Sequence, residues 1–211
     1  MPLQNRVTPY GTIIATPERG TFMGNRGVLH DEDGRIRRNS AVRRWIVCVL
    51  EFGGRKRTVM KPQSYTELFF LDEATAFAAG HRPCAECRHR RFLDYCAAWK
   101  LVKGGGSEER PCAYEIDAVL HAERVGVDRK KVLLEADIGE LSDGVFVKLA
   151  DQEEALLVYG GHLLAWSAGG YRRRVKRPAS GACLLITPRP TVDVIRAGYE
   201  PEMHESAAAL Q

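Results

Sequence analysis

Short apolar runs, broken by glycine, proline and charge, alternate along this chain with longer stretches of helical period. Arg44-Trp-Ile-Val-Cys-Val-Leu-Glu-Phe52 and Tyr65-Thr-Glu-Leu-Phe-Phe-Leu71 read as strands. Gly53-Gly54 follows the first run, so residues 55–60 are expected to pair back as a hairpin. Residues 8–30 read as strands and turns: β-rich Gly11-Thr-Ile-Ile-Ala-Thr16, then a glycine-punctuated stretch ending at His30. Residues 31–40 are polar and basic, the composition of an exposed loop.

The period becomes helical after Leu71. Asp72 suits the N-cap of a short helix over 73–79; Gly80 supplies a left-handed stop and Pro83 prevents continuation. Over 88–100, Phe92, Cys96 and Trp99 recur on one helical face. Another helix is expected over 114–125, with Ile116, Val119 and Leu120 apolar, and a further one over about 128–136. From Asp143 the texture returns to strands, over 144–149, 155–159, 162–166 and 182–186, with a short helix over 191–197. The tail beyond Tyr199 reads as loosely held, and Lys103-Gly-Gly-Gly-Ser107 as a linker. The pattern implies an α+β chain. Residues 1–102 form a β-rich part containing a strand–helix–Cys-x-x-Cys–helix unit. Residues 112–200 follow with helices and a smaller β-rich part, packed with the first or apart from it.

Composition narrows the class. The 211 residues suffice for a full core, and 45% apolar with 27% charged residues is ordinary for a globular protein. No apolar run approaches membrane-spanning length and the N-terminus lacks a secretory core, so the expected place is the cytoplasm, with reduced cysteines. The net charge of +4 matters less than its clustering. Arg35, Arg37, Arg38, Arg43 and Arg44 form one cluster, Arg55, Lys56 and Arg57 a second. Arg82, Arg88, Arg90 and Arg91 form a third, and the basic run from Arg172 to Arg177 a fourth. Clusters sharing a face would bind the phosphates of DNA or RNA; singly, they are solvated edges that oppose aggregation.

The densest chemistry lies at Arg82-Pro-Cys-Ala-Glu-Cys-Arg88. Cys84 and Cys87 have the spacing at which one turn gives two thiolates to a tetrahedral ion; the same spacing also serves redox pairs and inert buried cysteines. Phe69-Phe70, Ala74, Ala78-Ala79-Gly80, Arg82-Pro83-Cys84 and Cys87, within residues 69–90, resemble the second half of the zinc domain of the Ada family of bacterial alkyl-DNA repair proteins. The resemblance implies a strand, a short helix and a zinc knuckle. His81 stands where the family has an aromatic residue. The family's two further, closely spaced cysteines have no counterpart between Gly53 and Met60, so its phosphotriester methyl transfer is not implied. Cys48 is the upstream candidate for a third ligand and His30 another; His81, His89, Cys96, Cys112 and His121 complete the candidates.

Other constellations are weaker. His121 and Glu123, in Leu120-His-Ala-Glu-Arg124, and His30 are candidates for acid–base chemistry, and Gly24-Asn-Arg-Gly27 for holding an anion. Trp166 and Tyr171 beside Arg172 and Arg173 mix aromatics with cations, as single-strand binders do and as an ordinary hairpin does. No nucleophile elbow or deaminase signature occurs. The leading expectation is a zinc-associated nucleic-acid-binding protein in which Arg82, Arg88, Arg91, Arg172 and Arg173 meet phosphates. The alternatives are an enzyme for a small anionic or nucleotide-like substrate around His30 and His121, and a structural protein-interaction adaptor.

Overall fold

The computed structural model describes residues 1–55, 58–104, 111–126, 130–150 and 152–210. The first half supplies β1 (Gln4–Val7), β2 (Ile13–Ala15), β3 (Phe22–Asn25), β4 (Ile46–Cys48), β5 (Leu68–Phe70) and β6 (Arg82–Pro83). These make one mixed sheet in the order β2-β1-β5-β3-β4-β6. The second half supplies β7 (Leu134–Asp137), β8 (Phe146–Lys148), β9 (Leu156–Tyr159), β10 (His162–Ser167), β11 (Gly170–Lys176) and β12 (Ala182–Leu185). They form an antiparallel sheet in the order β11-β10-β9-β8-β12-β7. Helices α1 (Glu73–Ala78), α2 (His89–Val102), α3 (Ala113–Arg124), α4 (Arg189–Arg196) and α5 (Glu205–Ala208) complete an α+β architecture. No helix among the described residues is long and apolar enough to cross a membrane.

Local chemistry sets the boundaries that position the site. Asp72 caps α1, its Oδ1 accepting from the Thr75 backbone N–H at 2.7 Å and from the Thr75 hydroxyl at 2.6 Å. Gly80 ends the α1 turn at φ +93°. A Cβ there would lie 2.6 Å from Cδ of Arg124, so glycine is required both by the backbone and by the passing side chain. α3 opens on a capping box, with the Cys112 N–H donating to Glu115 at 3.0 Å.

Three expected elements differ. The described part of the expected hairpin over 55–60 does not form it: Arg55 and residues 58–60 are irregular or turn, and β4 pairs instead with β3 and, in parallel, with β6. Lys56 and Arg57 lie outside the described residues, as does most of the expected linker. The helix expected over 128–136 gives way, in its described part, to β7, because Leu134–Asp137 pairs along β12. The tail beyond Tyr199 is held firmly: two buried carboxylates at the start of α1 anchor it. Glu73 accepts from the Tyr199 hydroxyl at 2.8 Å and the Glu202 N–H at 2.9 Å, and Asp72 accepts from the His204 N–H at 3.0 Å. The largest apolar cluster draws on both halves, joining Val47, Phe70 and Phe77 to Tyr95 and Leu120, and on to Val147, Leu163 and Ile195.

Candidate metal centre and cationic cavity

β4 carries the centre of the site. The pleat places Val47 in the main core and Ile46 and Cys48 in a small cluster with Met23, Phe69, Cys84 and Cys87. Parallel pairing with β6 sets Val47 opposite Pro83, and the Cys84 N–H donates to the Val47 carbonyl at 2.9 Å. The sulfurs of Cys48, Cys84 and Cys87 thereby come within 4.8 Å of one another, close enough that the three cysteines can hold a metal ion. A tetrahedral ion with metal–sulfur bonds of about 2.3 Å needs sulfur–sulfur edges of about 3.8 Å, which lies inside that limit. The donor set suits a soft or borderline cation. Cys84 is drawn well below the usual thiol range, chiefly by hydrogen bonding from Cys48, then from Cys87 and from backbone N–H groups of the knuckle. Cys48 is pushed up, chiefly by its hydrogen bond to Cys84. Among the described residues no fourth His, Cys, Asp or Glu joins the group. Cys48 and Cys84 are buried and Cys87 half-buried, so the cluster is most open on the Cys87 side.

The other ligand candidates are elsewhere. His30 is buried, Nδ1 within 2.6 Å of the Thr66 hydroxyl and Nε2 within 3.2 Å of the Lys61 carbonyl, so both nitrogens are occupied away from the cysteines. Cys96 is core, Cys112 caps α3, and exposed His89 faces the Ala85 carbonyl. His81 is buried between aromatic rings, 4.6 Å from Phe70 and 5.4 Å from Trp45.

Three of the four knuckle arginines, Arg82, Arg88 and Arg91, are held by carboxylates, and Arg90 is exposed on α2. Arg82 makes a bidentate pair with Asp117 of α3 at 2.9 and 2.8 Å, both side chains buried. Arg88 pairs with Glu73 at 2.5 Å and Glu202 at 2.6 Å; Arg91 pairs with Glu73 at 2.8 Å. Each carboxylate comes from a segment distant in sequence, which is why an arginine-rich turn reads as a surface when only its neighbours are known. Arg172 and Arg173 lie on β11, an exposed edge strand, where charge opposes edge-to-edge pairing; Arg173 pairs with Glu154.

Positive charge does converge in a cavity of about 1180 Å³. Three stretches wall it: residues 10–12; residues 37–43 with Trp45; and His121, Arg124, Val125, Gly126, Lys130 and Lys131, with Arg26 and Ala79 between them. Arg37, Arg38, Arg43, Lys130 and Lys131 line it alongside His121, Arg26 and Arg124, and no described lining residue is acidic. The guanidiniums of Arg26 and Arg124 lie 4.1 and 4.0 Å from the Trp45 ring. Burial is the main cause that lowers Arg26 to about 9, with the Arg124 charge adding to it. Arg124 is also lowered to about 9, first by burial. Of the three acid–base candidates only His121 reaches the cavity. Glu123, two residues on along α3, is not among its lining residues, and His30 is on other elements. Sequence clustering had marked Arg37, Arg38 and Arg43, but nothing local marked Arg124, Lys131 or Trp45 as their neighbours. No protein-family model, curated protein or solved structure matches the chain.

Proposed function

We propose that this chain binds nucleic acid through the cationic cavity and that Cys48, Cys84 and Cys87 hold zinc as a structural clamp. The observation that carries the reading is a large recess lined by arginine and lysine with no described carboxylate among them. Such a surface attracts a polyanion by releasing its counterions. Zinc belongs to the same argument through β4. Trp45, against which Arg26 and Arg124 lie, is three residues from Cys48, about 10 Å along an extended chain. A metal joining Cys48 to the knuckle fixes that segment and with it the base of the cavity. Three thiolates and an open position suit zinc with water or a weak donor as the fourth ligand.

Two measurements test the reading together. Elemental analysis of untagged protein should find about one zinc per chain, lost in Cys84→Ser. Titration with DNA and RNA oligonucleotides should weaken steeply with salt. Neutralising about five phosphates gives a log–log slope of about −4.5 on duplex DNA and about −3.5 on a single strand. Binding that is absent or indifferent to salt rejects the reading. A second reading, an enzyme for a nucleotide-like anion, has its own observation: Arg26 of the glycine-flanked turn and His121 line the same cavity. Burial, and then the charges of Arg124 and Arg43, lower the His121 pKa, leaving a neutral imidazole that can accept a proton. Turnover of nucleotide esters, lost in His121→Ala, would select it.

A further inference from the structure

The cavity has an exposed mouth and a buried base. Arg38, Asn39 and Arg43 are exposed at the mouth; Arg26 and Arg124, 1% and 2% exposed, lie with Trp45 and Ala79 at the base. Among the described residues the two buried guanidiniums hydrogen-bond only neutral acceptors. Arg26 donates from Nη1 to the Gly11 carbonyl at 2.9 Å and the Asn39 carbonyl at 3.4 Å, and from Nε to His81 Nε2 at 3.3 Å. Arg124 donates from Nη1 to the Gly80 carbonyl at 2.7 Å and from Nη2 to the Arg43 carbonyl. Arg26 Nη2, Arg124 Nε and His121 Nδ1 are buried with no partner among the described residues. Arg82, nearby in the fold, has its own carboxylate in Asp117; these two arginines have no such ion pair among the described residues. Buried guanidinium N–H groups left without an acceptor are costly, and an anion supplies both the charge and the lone pairs.

We infer that the base of the cavity is a phosphomonoester site, in which Arg26 and Arg124 receive one terminal phosphate while the arginines of the mouth carry the chain attached to it. The inference rests on the cavity reading above and narrows it from a polyanion to the polyanion's end. A phosphate inside a nucleic-acid strand has a substituent on both sides and needs two ways out of its site. A recess whose base is closed by buried Trp45, Ala79 and the two arginines admits a group attached through one bond. A phosphomonoester carries close to two charges and three terminal oxygens, matching two guanidiniums better than the single charge of a diester. The same chemistry belongs to a free nucleotide, and His81 acts as a positioning residue by fixing Nε of Arg26.

The test uses the whole metal-loaded chain and one short oligonucleotide prepared with a 5′-phosphate, with a 3′-phosphate, or with hydroxyls at both ends, at one salt concentration. A phosphorylated end should bind about tenfold tighter than the hydroxyl form, the scale of one charge-assisted hydrogen bond. A nucleoside monophosphate or inorganic phosphate should compete that preference away while the hydroxyl-ended strand stays bound. Arg26→Lys should abolish the preference, whereas Arg38→Gln at the mouth should weaken all three strands alike and keep it. If Arg26→Lys does not fold, His121→Gln should still cut the preference severalfold. Salt-dependent binding with no end preference overturns this inference and leaves the nucleic-acid reading standing. Binding of the monophosphate without binding of any strand supports the site, with a free nucleotide as its source, and rejects the nucleic-acid reading. Binding of neither overturns both.

Discussion

His81 shows how much one position can depend on its surroundings. Its Nδ1 donates to the Ala76 carbonyl at 3.2 Å and its Nε2 accepts from Arg26, a pairing only the neutral ring satisfies. Burial, and then the charges of Arg26 and Arg124, hold its pKa well below the usual histidine value. The unfolded chain therefore takes up a proton near pH 6.5 that the folded chain refuses. The stability tied to His81 is complete above about pH 6.5 and is lost as the pH falls below it, with a slope of at most about 1.4 kcal/mol per pH unit. His81→Phe, which keeps a ring but no titrating nitrogen, should flatten that acid limb. Chemical denaturation of both proteins between about pH 5 and 7 measures it, and parallel curves would contradict the assignment.

At the scale of elements, three arginines around the knuckle are fasteners. Arg82 ties β6 to α3 through Asp117, and Arg88 and Arg91 tie the start of α2 to α1 and the C-terminal segment. Removing one member of a buried pair strands the other. Asp117→Ala should cost about 3–5 kcal/mol in urea unfolding, whereas Arg82→Met with Asp117→Leu should recover most of it. The helix expected over 128–136 failed for a related reason. Leu, Glu and Ala favour a helix locally, but the ladder from Leu134↔Leu185 to Asp137↔Ala182 and the cover it gives β12 outweigh fractions of a kcal/mol per residue.

Across the whole molecule, the chain's end closes back on its middle. Tyr199, Glu202 and His204 bond Glu73 and Asp72, and the Tyr171 hydroxyl donates to Asp72 at 2.7 Å, so α1 is gripped by the second sheet and by the tail. Burial, first, and the Glu73 charge push the Tyr199 hydroxyl upward, keeping it a proton donor across the ordinary pH range. Tyr199→Phe leaves the ring but removes the donor, and should cost about 1.5–3 kcal/mol in denaturant unfolding with metal content unchanged. An unchanged midpoint would show that the tail is dispensable.

The Asp72 cap, the Gly80 stop, the amphipathic face of α2 and the strands around Ile46 and Phe69 were legible in the sequence, because each depends on residues within a turn or two of one another. Cys84 and Cys87 were legible for the same reason, their spacing alone placing two sulfurs on one turn. Whether an arginine meets water or a carboxylate was decided only by the tertiary structure. Arg82 and Arg88 have partners up to 114 residues away, and Arg26 and Arg124, on separate elements, meet at Trp45. Cys48 belongs to both levels: its strand was readable from its apolar run, but its place beside the knuckle needed the parallel pairing of β4 with β6. Local propensity acts through neighbouring backbone, whereas charge pairing and metal ligation act through space, and only the folded chain specifies which distant side chains share it.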